Sequence, residues 1–134
     1  MAAQCGGENR SPQLTWKGIP ANAQSLALIM HDPDAPMPGG FYHWVVYNLP
    51  PAKRGLTSAE RLGANELGKT SAGTPGYYGP CPPPGPAHHY VFTLYALDVP
   101  RISASIPLTA SQLMTQIDGH IVARATLTGT EFRR

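Results

Sequence analysis

Side chains able to hold or move a proton gather where apolar runs of this sequence end: Asp32 and Asp34 in "HDPDAP", His43 in "FYHW", and His88, His89 and Tyr90 in "AHHY". Imidazoles change charge near neutrality, so histidines beside a tyrosine hydroxyl suit donation of hydrogen bonds to an anion. A carboxylate that orients an imidazole suits acid–base chemistry. Two imidazoles and a carboxylate are also zinc or iron ligands. Each residue type has an ordinary structural use too. Asp before Pro opens turns, a histidine among aromatics is commonly a hydrogen-bonded, half-buried side chain, and Trp44, Tyr77, Tyr78 and Tyr90 read as core or rim aromatics. No nucleophile stands out: Ser71 and Thr70 lie in a Gly-rich loop without an elbow motif, and prolines hem in Cys81.

These side chains need strands to position them. "SLALIMHD", residues 25–32, is a continuous apolar run stopped by a Pro-containing turn, the pattern of a strand covered on both faces. "YHWVVYNLP", residues 42–50, is rich in aromatic and β-branched residues, and "HYVFTLYALD", residues 89–98, is a third such run. "HIVARATLTG", residues 120–129, alternates and reads as a fourth core strand with one buried face. Alternation puts His88 and Tyr90 on one face of their strand and His89 on the other, and groups His43 with Val45 and Tyr47. Thr57 stands three before Glu60, and Thr109 three before Gln112; this capping-box spacing predicts two helix starts, with Gly119 ending the second. The connections "HDPDAPMPGGF" and "GTPGYYGPCPPPGPAH" are long for hairpins and shaped by Pro and Gly, as binding loops are. The fold class is therefore mainly β, a β-sandwich with one or two short peripheral helices.

The chain has 134 residues, 42% of them hydrophobic, enough for one core and one domain over residues 1–134. A net charge of +2 with scattered basic residues gives no footprint for nucleic acid, and the Arg133–Arg134 pair reads as a solvated tail. No apolar run approaches the roughly 18 residues of a membrane span, and "MAAQCGGENRSP" lacks the pattern of a secretory signal, so the expectation is a soluble, cytoplasmic protein. Cys5 and Cys81 form no C-x-x-C pair. Two free thiols are expected, with a Cys5–Cys81 disulfide as the alternative.

"LALIMHDPDAP", "FYHWVVYNLP" and "GPCPPPGPAHHYVFTLYALD", in this order and spacing, resemble the phosphatidylethanolamine-binding protein (PEBP) family in its prokaryotic, Raf-kinase-inhibitor-like branch. "CGGENRSPQLTWKGIP" and "GHIVARATLTGT" are similar to that family's opening segment and last strand, so the resemblance covers nearly the whole chain. It implies a PEBP-like β-sandwich with a small surface pocket for an anionic group: phosphate, a phosphorylated head group or carboxylate. Matched motif by motif, the pocket is lined by Asp32, His43, His88 and Tyr90, with Gly79 and Pro80 as its stiff wall. In such a pocket the imidazoles, the Tyr90 hydroxyl and N–H groups near Gly79 donate to the anion. Asp32 would orient an imidazole or meet a ligand ammonium. The family commonly has Arg between the matched His and Tyr; here His89 makes that charge conditional. Family members also begin earlier, with a strand before the Cys5 segment, and eukaryotic members add a C-terminal helix. An exposed sandwich edge that invites pairing with a second copy is the expectation.

These readings favour a binding or regulatory protein over an enzyme, with a small anionic ligand, no cofactor and no resident metal. Acid–base catalysis in the same His/Asp pocket is the alternative. Homodimerisation, and inhibition of a protease or kinase through surface loops, complete the expected partners.

Overall fold

A computed structural model of the chain describes residues 11–79 and 88–131. Cys5, Cys81, Pro80, Arg133 and Arg134 lie outside these described residues. In chain order the elements are β1 (Leu14–Thr15), β2 (Ser25–Asp32), β3 (Phe41–Leu49), β4 (Gly55–Leu56), β5 (His88–Leu97), α1 (Ala110–Ile117) and β6 (Ile121–Glu131). Four strands form one antiparallel sheet in the order β3-β2-β5-β6, and β1 pairs with β4 in a two-stranded ribbon. The fold is mainly β, as the sequence implies. Among the described residues no helix is long and apolar enough to cross a membrane.

Alternation along β2 builds two cores back to back. Leu26, Leu28 and Met30 pack with Trp44, Val46, Leu94 and Ala96 on one face, under Leu14, Trp16 and Leu56. Ala27 and Ile29 pack with Val45, Tyr47, Tyr95 and Leu97 on the other, under Leu113 and Ile117 of α1. The central strand is thus buried almost throughout, which explains its unbroken apolar run.

The Thr109 signal produces α1. Thr109 Oγ1 accepts from Gln112 N (3.2 Å) while Gln112 Oε1 accepts from Thr109 N (2.9 Å), and Ala110, Leu113 and Ile117 face the sheet. Gly119 follows the last turn with φ 80°, the left-handed exit that glycine makes without steric cost.

The second helix, expected after Thr57, does not form. Glu60 folds back as a capping residue should, its Oε1 accepting from Thr57 N at 2.9 Å. Ala59, however, has φ 56°, and a left-handed residue at the second position of the first turn ends propagation. Lys53 Nζ then meets Glu60 Oε2 at 2.7 Å, and this bond, with the Thr57 contact, holds the Glu60 carboxyl below the usual glutamate range.

β6 also departs from expectation. It is an edge strand whose residues 121–123 are half-buried and 124–127 exposed, so its alternation does not produce the buried face read from the sequence. β3, the other edge, is covered by the segment that follows β4. Tyr47 N donates to Glu66 O, Gly68 N to Val45 O, Ser71 N to Tyr42 O and Tyr78 N to His43 O, all within 2.7–3.0 Å.

Candidate functional site

The β2–β3 ladder carries an extra residue where chemistry-bearing side chains meet. Met30 lies opposite Trp44 and His31 opposite Tyr42, so one step on β2 answers two on β3, and His43 is the surplus. This overturns the alternation that groups His43 with Val45 and Tyr47. The bulge turns the His43 ring to the Trp44 face, where its centroid lies 5.5 Å from that of Tyr90 in an edge-on contact and 4.6 Å from Phe41. His43 is 5% exposed, Tyr90 4% and Asp32 3%, an unusual concentration of buried polar side chains at one end of a sheet.

His43 Nδ1 lies 2.6 Å from Tyr78 O. A carbonyl only accepts, so Nδ1 carries the hydrogen, and Nε2 is a donor only when the ring is protonated. The reciprocal bond from Tyr78 N to His43 O fixes the same pair of residues twice, and buried Gly79 follows Tyr78 directly. Asp32 closes β2; its Oδ1 accepts from Asp34 N at 2.8 Å, an Asx turn that bends the chain into "DPDAP". Gly40 returns the chain to β3 with φ 78°, and a Cβ there would collide with Asp32 O, so only glycine fits.

Of the residues matched by motif, His43 and Tyr90 are in ring contact, Asp32 lies opposite Phe41 whose ring packs on His43, and Gly79 follows Tyr78. His88 opens β5 opposite Glu131, two residues before Tyr90. Pro80 is outside the described residues. Sequence reasoning missed Phe41 and Tyr78, whose rings flank His43, and it missed the contact of Asp34 with His89. The Tyr77–Tyr78 pair before Gly79 was the available signal: Tyr77 packs edge-on against Trp44, whereas Tyr78 serves His43. Ser71 Oγ accepts from Tyr42 N and Thr70 Oγ1 donates to Thr74 O, so both hydroxyls serve the loop.

The phosphatidylethanolamine-binding protein family model matches residues 1–133. The chain belongs to the PEBP family. A UPF0098 protein of Methanothermobacter thermautotrophicus is 43% identical over 130 residues, 93% of this chain and 84% of that one. Among solved structures, Escherichia coli YbcL, described as a member of the mammalian PEBP family, superposes with a TM-score of 0.86 at 30% identity, over 94% of this chain and 82% of YbcL. CT736 from Chlamydia trachomatis, described as a PEBP homologue, gives 0.85 at 41% identity, over 93% and 82% of the two chains. In this chain Asp32 is the last residue of β2, and His43 and Tyr90 are each the third residue of their strands, β3 and β5.

Proposed function

We propose that this PEBP-family chain is a binding protein whose pocket, built on Asp32, His43, Gly79, His88 and Tyr90, takes the anionic group of a small ligand. One observation supports this above others: the bulge in β3 aims a buried imidazole at a buried phenol, beside a buried carboxylate, at an end of the sheet where apolar side chains would fill the space more cheaply. Convergent polar groups framed by aromatic rings are the usual make-up of a small-ligand site.

A protonated His43 offers Nε2–H to an oxyanion, the Tyr90 hydroxyl a second donor and the Gly79 region backbone N–H groups. Asp32 would repel the same anion, and its Oδ1 already holds the Asp34 N–H. Its part is to shape the turn and to favour ligands that carry an ammonium near the anion. Phosphoethanolamine has that chemistry, and inorganic phosphate and acetate lack it.

The test is an NMR titration of the labelled chain with phosphate, phosphoethanolamine and acetate, run beside His88→Ala. Shifts centred on Asp32, His43, Gly79 and Tyr90, lost in the variant, are the expected result. Silence at those positions in the parent would overturn the reading. Asp32→Asn is expected to erase any preference for phosphoethanolamine over phosphate.

A further inference from the structure

We propose that Asp34 and His89 form a clasp across the mouth of this pocket and set where Asp32 and Tyr90 stand, so that both are positioning residues for the anion site. The inference rests on the anion-binding reading above and names what holds that site in shape.

The β2–β5 ladder stops at His31 opposite Val91, one step short of Asp32 and Tyr90. Each of the two strand ends keeps its register with its other neighbour, Asp32 opposite Phe41 and Tyr90 opposite Gly129, but the β2–β5 ladder as paired does not reach across from one to the other. A different set of bonds takes over there. Asp34 Oδ2 accepts the backbone N–H of His89 at 2.7 Å and stands 2.7 Å from His89 Nδ1. Asp34 in turn donates its own N–H to Asp32 Oδ1 at 2.8 Å. A chain of bonds thus runs from the buried carboxylate of β2, through the turn, to the residue that directly precedes Tyr90 on β5. The Asp34–His89 bond alone joins residues 55 positions apart in sequence.

Asp34 and His89 remain 42% and 56% exposed, outside the buried cluster, so the clasp acts on the site from its rim. Exposure also limits what an ion pair there adds to stability. Its effect is geometric: substitution should loosen the site without unfolding the protein. His89 is where the family resemblance places Arg, and a guanidinium can likewise donate to Asp34. His89→Ala removes one of the two bonds to Asp34 Oδ2, and Asp34→Ala removes both.

The test is the affinity for inorganic phosphate, read from amide shifts, for the parent, His89→Ala and His89→Arg, with a melting curve for each. His89→Ala is expected to bind about fivefold more weakly at an unchanged melting temperature, the loss of one modest hydrogen bond, and His89→Arg to bind as the parent does. Equal affinity of parent and His89→Ala would overturn the clasp while leaving the anion site standing. A parent that ignores phosphate would sink the anion reading instead, and the clasp is then decided without ligand. Asp34→Ala should shift the Asp32 and Tyr90 amides and speed hydrogen exchange at the His89 amide. Unchanged resonances at Asp32 and Tyr90 would overturn it.

Discussion

His43 owes its chemistry to a carbonyl. Because Tyr78 O takes the Nδ1 hydrogen, the ring can donate to a ligand only through a protonated Nε2. On the anion-binding proposal, an anion held at this atom would take up a proton with it, and affinity would rise as pH falls. Sulfate, whose charge is constant over the range, is expected to bind more tightly at about pH 6 than at about pH 8, with the trend abolished in His43→Gln. A flat profile in the parent would remove His43 from the site. At this scale the sequence disclosed residue types and positions but not directions. Asp32, His43 and Tyr90 were readable as candidates because chemistry-bearing residues stood where apolar runs ended. The face His43 occupies was not readable, since an extra residue in a ladder leaves no mark on composition. Nor was the partnership of Asp34 with His89, which depends on two distant loops meeting.

The turn after β4 shows how a local signal can be satisfied without its element. Thr57 and Glu60 make the expected contact, yet Ala59 at φ 56° stops the helix. A left-handed alanine costs roughly 1 kcal/mol that glycine avoids. Ala59→Gly is therefore expected to stabilise the protein by about 0.5–1 kcal/mol, measured by urea unfolding. The Glu60 carboxyl, held low by Lys53 and by Thr57 N–H, contributes stability that is present above the ordinary glutamate range and is lost as pH falls through its folded value. The parent should accordingly lose melting temperature more steeply than Glu60→Gln below that range. Capping spacing alone could not separate this turn from the true helix start at Thr109: Gln112 N donates to the Thr109 hydroxyl, whereas the Thr57 hydroxyl donates to Glu60 Oε1 and Glu60 N turns to the Thr57 carbonyl, a difference the spacing does not carry. β1 and β4, two residues each, are too short to display any period.

The molecule divides its labour between the two faces of one sheet. α1 covers the face of Val45, Tyr47 and Ile29, while the polar cluster sits at the end of the opposite face. Leu113, fully buried under α1, is expected to cost about 2–5 kcal/mol when changed to Ala. Phosphate affinity should stay at the parent value below the melting transition. A parallel loss of binding would show that the two faces are coupled. The layered plan was legible from the apolar runs, but the edge position of β6 was not, because alternation reports periodicity and says nothing of which neighbours a strand has.

The bulge also decides which kind of genetic change the site can survive. Substitutions around it alter a side chain and leave the count of residues intact. Loss of Tyr42 alone would remove this bulge, keep nearly the whole composition, and hand the imidazole to the helix side of the sheet. The site is thus written in the parity of a strand, and a change in length erases what a change in letter only edits.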